Sequence, residues 1–142
     1  MEIFNLLFSF GGRINRAKFW LITLTWTVVW VAGVLLLFVT EFSTVLIVIA
    51  IIVIIPSVIS GAAAGVRRLH DRDKSGWWLV LFYLAPVVLD GIGRSAGSIG
   101  IVFSVISFAI SVWAFVELGC LRGTIAGNRY GPDPVAPKPA HH

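Results

Sequence analysis

One short stretch of this chain is crowded with ionisable side chains: Arg67-Arg68-Leu69-His70-Asp71-Arg72-Asp73-Lys74. Residues 66–76 hold six of the eighteen Asp, Glu, Lys and Arg residues. Guanidinium groups grip carboxylates or phosphates through paired hydrogen bonds, so the chemistry on offer is ion pairing or anion recognition. Catalysis has less to work with. His70-Asp71 is a single adjacent pair. A metal site would need further ligands, and the other histidines are the terminal His141 and His142. No Ser-His-acid set and no phosphate-cradling glycine loop stands in a supporting context. The expectation is a non-enzyme with no catalytic residue, no metal and no cofactor.

Two more polar stretches could join this one. The first is Gly11-Gly12-Arg13-Ile14-Asn15-Arg16-Ala17-Lys18-Phe19-Trp20, and the second is Gly127-Asn128-Arg129-Tyr130-Gly131-Pro132-Asp133-Pro134. The expected cluster comprises Arg13, Arg16, Arg67, Arg68, His70, Asp71, Asn128 and Tyr130. In it Asp71 accepts from Arg13 or Arg16, and His70 and Tyr130 tie tail, loop and N-terminus together. The tail is rich in turn formers and can fold back as a lid. A competing use is the binding of anionic lipid headgroups by Arg67, Arg68, Arg72 and Lys74.

Whether these stretches meet depends on the elements that carry them. Hydrophobic residues make up 58% of the chain and charged residues 13%, against about 25% charged in an average soluble domain. A soluble core of this size could not bury so much apolar surface. A transmembrane helix needs roughly 20 mostly apolar residues, and four runs qualify: residues 19–39, 42–65, 77–92 and 99–121. The second is rich in β-branched residues, but backbone in lipid must satisfy its own hydrogen bonds, which makes a run this long a helix. The runs are apolar on every side, not alternating, which argues against a β-barrel. The fold class is therefore an all-α membrane protein with four transmembrane helices. Residues 1–18 form an N-terminal segment, 19–121 the helical domain with a loop at 66–76, and 122–142 a tail. His141-His142 are read as a tag remnant. No small-residue cleavage site follows the first apolar run, so it is expected to be a span and not a leader.

Charge supplies the orientation. Loops retained in the cytoplasm collect Lys and Arg. Summed over alternate loops, ten basic residues fall on one side and one, Arg94, on the other. Both termini are expected in the cytoplasm, which brings the three polar stretches to one surface. Trp20, Trp77 and Trp78 stand where that interface should be. The formal charge of +4 suits anionic lipid. It does not suggest nucleic acid, because no basic helix or aromatic-basic platform lies outside the membrane.

Inside the spans, Ser57, Gly61 and Gly65 share one helix face, the small-xxx-small spacing that allows close helix approach. Ser104, Ser107 and Ser111 make a second small stripe. Pro56 and Pro86 remove backbone donors within helices. Glu117 is the acid nearest the hydrocarbon at the tail end of the fourth span, and is expected to pair with a basic residue of the central loop.

The three polar stretches resemble a family of small bacterial inner-membrane proteins catalogued as domain of unknown function 805. Gly12, Arg13, Arg16, Phe19 and Trp20 fit its first motif, Arg67 to Asp71 with Ser75 to Trp78 its second, and Asn128, Tyr130, Gly131 and Pro134 its third. A departure is Asp73-Lys74, where the family more often has a small residue and then a polar or basic one. The resemblance implies a multi-pass protein of the bacterial inner membrane and brings no activity with it. The functional expectation is a non-enzymatic accessory, assembly or lipid-binding subunit of a larger membrane complex. The expected partners are membrane lipids, anionic ones among them, and another membrane protein or further copies of the chain. The alternative is a small oligomeric transporter or channel.

Overall fold

The four expected spans are helices in the computed structural model, which describes residues 2–136. A short helix α1 (Glu2–Phe8) precedes α2 (Arg16–Val39), α3 (Thr44–Asp71), α4 (Trp78–Ser95) and α5 (Gly100–Phe115). A 3₁₀ turn, Gly97–Ile99, leads into α5, and a π-helical turn, Val116–Cys120, prolongs it. Four of these segments are long and apolar enough to cross a bilayer, with mean hydropathies between 1.3 and 2.9. No strand forms among the described residues. The protein is thus an all-α, multi-pass membrane protein.

Local signals explain the helix ends. Asn15 caps α2 from an extended conformation, its side chain accepting the Lys18 N–H at 2.9 Å. At the other end Glu41 N–H donates to Phe38 O at 3.3 Å and Phe42 N–H to Leu37 O at 2.8 Å. That is a Schellman closure, built with left-handed Glu41 and Phe42 instead of glycine. The same closure ends α3: Asp73 N–H reaches His70 O at 3.0 Å, and Lys74 N–H reaches Leu69 O at 2.9 Å. Asp73 sits there at φ 56°, a region that aspartate tolerates better than most residues. The sequence departure at Asp73 therefore falls on a left-handed cap position, where glycine is the easier choice.

Two boundaries differ from expectation. The charged stretch at 66–76 is not a loop throughout, because α3 continues through Asp71 and only the turn before α4 is irregular. The helix runs on because Arg67, Arg68 and Asp71 are buried and hydrogen-bonded at its C-terminal end, where cations are also favoured by the helix dipole. The helix α1 was not foreseen. It lies before Gly11-Gly12 and is too short to announce itself by periodicity.

The core sits at one end of the bundle. The buried hydrophobic residues are Ile14, Phe19, Ile22, Ala63, Ala64, Leu69, Leu79, Phe82 and Leu118. All of them belong to the end where the N-terminal segment, the α3–α4 turn and the tail converge. Beyond Ile22 on α2, and before Ser57 on α3, no residue is buried. The helices pair chiefly as α2 with α3 and α4 with α5. In the second pair Trp113 packs edge-on against Trp78 and Phe82, with ring centroids 5.6 and 5.2 Å apart. Ser107 Oγ donates to Pro86 O at 3.2 Å across the same pair. At its far end a Cβ on Gly100 would overlap the Gly93 carbonyl. Gly100→Ala is expected to lower the thermal unfolding midpoint in detergent, through overpacking worth about 1–3 kcal/mol. Gly91→Ala, where a Cβ meets open space, should not lower it, and equal losses from the two variants would contradict the close approach.

Candidate functional site

Asp71, the last residue of α3, is the centre of the cluster. Its Oδ1 accepts from Arg13 Nε at 3.0 Å and lies 2.9 Å from Arg13 Nη2. Its Oδ2 accepts from Arg68 Nη1 at 2.5 Å, one turn back on the same helix. The Arg13, Arg68 and Asp71 side chains are at most 4% exposed. Gly123 packs directly on the Asp71 carboxylate, and a Cβ there would overlap it. Thr124 completes the contact, its N–H reaching Asp71 O at 2.8 Å.

The remaining guanidinium donors go to backbone carbonyls. Arg13 donates to Thr124 O at 2.7 Å, Ala126 O at 2.8 Å and Gly131 O at 3.2 Å. Arg68 Nε donates to Leu118 O at 2.7 Å, and its Nη2 to Leu121 O. Arg16 Nη1 donates to Cys120 O at 2.8 Å, and Trp20 Nε1 to Gly119 O at 3.1 Å. Helix C-termini leave carbonyls without intrahelical partners. Here donors from α2, α3 and the N-terminal segment satisfy the carbonyls at the end of the last span and along the tail. Arg67 plays the same part for α1, donating to Asn5 O and Leu6 O.

Two smaller groupings flank this centre. His70 stacks on Tyr130 with ring centroids 3.8 Å apart and planes 5° from parallel. Its Nδ1 lies 3.2 Å from Gly12 O. Asn128 Nδ2 donates to His70 O and to Thr124 Oγ1, both at 2.9 Å. Glu117, buried in the π turn, accepts from Arg72 Nε at 3.0 Å and pairs with Lys74 Nζ at 3.0 Å. The pair Arg129–Asp73, at 3.1 Å, lies exposed outside both groupings.

The structure therefore brings Arg13, Arg16, Arg67, Arg68, His70, Asp71, Asn128 and Tyr130 to one end of the bundle. It selects Arg13, not Arg16, as the partner of Asp71. Arg67 and Arg68 are buried against carbonyls and Asp71, so they present no open fork to an anion. Among the described residues no three His, Cys, Asp or Glu side chains come together to hold a metal ion. Gly119, Gly123 and Thr124 belong to the site and were missed. Glycines at 119 and 123, flanking Arg122, were the available signal, but neither spacing nor type reveals a backbone acceptor.

Membrane-ward of this cluster lies a cleft of about 1210 Å³ between α2, α3 and α4. His70, Ser75 and Tyr130 stand at its mouth, and Trp26, Thr27, Trp30, Ser57 and Gly61 line its depth. Of the small-residue face, Gly65 meets Leu79, while Gly61 faces open space within 4 Å. Trp26 Nε1 and Ser60 Oγ are buried without a partner among the described residues, a cost of about 1–3 kcal/mol each that packing must offset.

The protein family described as Protein of unknown function (DUF805) matches residues 7–132. That stretch runs from α1 to the tail turn that closes the cluster. The chain is 35% identical to the uncharacterized protein YiiR of Escherichia coli K12, over 94% of this chain and 90% of YiiR. It is 26% identical to the inner membrane protein YhaI of the same organism, over 89% of this chain and 86% of YhaI. It is also 38% identical to the inner membrane protein YhaH, over 48% of this chain and 37% of YhaH. No solved structure matches the chain.

Removing the Asp71 charge leaves two buried guanidinium groups uncompensated. Asp71→Asn is expected to destabilise the folded protein by about 3–5 kcal/mol. Asp73→Asn, which neutralises an exposed pair and keeps a side chain that tolerates the left-handed backbone, should cost about 0–1 kcal/mol. Thermal unfolding of both variants in one detergent checks this, and similar losses would refute the central role of Asp71.

Proposed function

Because the chain belongs to the DUF805 family and is a multi-pass inner-membrane protein, we propose that it works there as a non-enzymatic accessory or assembly subunit. Its role on this reading is to bind lipid or a larger membrane complex. The observation that supports it is the internal use of the cluster's charges. Asp71 and Glu117 each face two cations. The Arg13 and Arg68 donors end on Asp71 and on carbonyls. Such an end is a clasp that fixes helix positions. A proton or ion path would instead need acids free to change partners.

The binding surface on this reading is the apolar length of the helices. Val28, Val34, Phe38, Val45 and Ile52 are among the large side chains left exposed beyond the clasp. The clasp itself faces the cytoplasm, as the concentration of Lys and Arg on its side supports.

Purification of the full chain from its own membrane in mild detergent tests the role. A stoichiometric partner of different sequence, or a defined set of retained lipids, is expected. A homo-oligomer that conducts ions when reconstituted would overturn the proposal in favour of a channel. Orientation has its own test. A fluorescent protein fused after residue 136 is expected to fold and fluoresce, while alkaline phosphatase at the same point stays inactive. The reverse pattern would place the clasp on the opposite side.

A further inference from the structure

We infer that the cleft between α2, α3 and α4 holds one anionic phospholipid from the leaflet on the clasp side. The lipid's headgroup lies at His70, Ser75 and Tyr130, and an acyl chain runs down toward Trp30 and Ser57. The inference rests on the binding role proposed above and names the ligand of one particular place.

The cleft's length favours this occupant. Its α3 wall runs from His70 at the mouth to Ser57 in the depth, which at 1.5 Å per residue is about 20 Å. Its α2 wall, from Phe19 to Val31, is about as long. The hydrocarbon core of a bilayer is about 30 Å thick, or about 40–45 Å with both headgroup layers. The cleft therefore spans one headgroup layer and one leaflet, and ends near the midplane. A partner's transmembrane helix would need a groove running the full thickness.

Lining chemistry points the same way. Polar groups gather at the mouth, and below them the walls are mainly apolar, with scattered hydroxyls such as Thr27 and Ser57 and the indoles of Trp26 and Trp30. That gradient matches an amphiphile standing upright, not a polar metabolite. The volume, about 1210 Å³, lies above the range of about 300–1,000 Å³ usual for small-molecule sites. Gly61 keeps the α3 wall concave, since nothing lies within 4 Å of where its Cβ would stand.

Charge selects the headgroup. The clasp side carries Arg13, Arg16, Lys18, Arg67, Arg68, Arg72, Lys74, Arg122 and Arg129 against Glu2, Asp71, Asp73, Glu117 and Asp133. Its net field is positive, and fields of that sign concentrate anionic lipid. Arg129, paired with Asp73, stands behind the lining with its guanidinium 5.1 Å from the ring centroid of Tyr130.

The test uses the full chain in vesicles containing phosphatidylglycerol with a photoreactive group near the end of one acyl chain. Labelled peptides are mapped by mass spectrometry. Labelling is expected to concentrate on residues 26–31 and 57–62. Gly61→Phe and, separately, Thr27→Phe fill the cleft from opposite walls, and each should lower that labelling about tenfold. Val105→Phe, on an exposed face of α5, should leave it unchanged, and all three variants should keep the thermal midpoint of the unaltered chain. The same label on phosphatidylcholine should mark the cleft several-fold less. Labelling spread evenly over exposed α5 positions would overturn the inference, as would labelling that both cleft-filling variants leave intact. Even labelling in a preparation that still carries a stoichiometric protein partner sinks the lipid site alone. A conducting homo-oligomer sinks the accessory role as well.

Discussion

The structure depends on one carboxylate held between two guanidinium groups. Asp71 accepts from Arg13 and Arg68 with all three side chains nearly closed to solvent. A buried ion pair is weak evidence for net stability, because desolvation can cancel the attraction. Here the balance is also uneven, two cations against one anion. The surplus is met by backbone dipoles: Leu118, Leu121, Thr124 and Ala126 turn carbonyls toward the same guanidinium groups. What the arrangement secures is register. Arg13 comes from before α2, Arg68 and Asp71 from the end of α3, and the carbonyls from the end of α5 and the tail. No one of these can slide without leaving a buried charge or a carbonyl unpaired.

That constraint matters more in lipid than it would in water. Apolar helices gain little hydrophobic free energy by associating when the solvent is itself hydrocarbon. The distribution of buried residues fits this: a core at the clasp end, and long exposed apolar faces beyond it. Specific packing in the α4–α5 pair relies on Gly93 meeting Gly100 and on Ser107 bonding Pro86. Among the described residues no such device joins α2 to α4, and the cleft opens there. The clasp thus holds the two helical hairpins at one end while leaving room between them at membrane depth.

Much of this was legible in the residues, for definite reasons. Four apolar runs can only be helices in a bilayer, and alternation of basic loops puts three polar stretches on one face whatever their contacts. Glu117 stands where a basic turn residue must be near, and Arg72 and Lys74 meet it. Less could be read where the partner is backbone. The sequence offers Arg13 and Arg16 equally to Asp71. Only the cap at Asn15 decides, because it starts α2 at Arg16 and turns that side chain toward Cys120 O. Arg67 reads as a loop cation and is instead buried under α1. Small residues are ambiguous for a similar reason. Gly61 and Gly65 share one face, yet Gly65 admits Leu79 and Gly61 admits nothing from the protein. A missing Cβ permits close approach but does not compel it.

The π turn at Val116–Cys120 shows how the clasp is fitted to the last span. Its closing bond, Leu121 N–H to Val116 O at 3.1 Å, is one residue longer than an α-helical one, so the final turn is widened. Single π turns of this kind concentrate at functional positions. Within it Glu117 faces Arg72 and Lys74, while the carbonyls of Leu118, Gly119 and Cys120 face Arg68, Trp20 and Arg16 in sequence. Donors from two different helices therefore reach three successive carbonyls. A regular α turn ending at the same place would space those carbonyls differently around the axis. Gly119 fits the same logic, since a Cβ there would stand 2.8 Å from the Trp20 ring. The end of α5 is shaped to be capped by its neighbours, and that makes the tail beyond it, with Tyr130 at the cleft mouth, part of the folded unit.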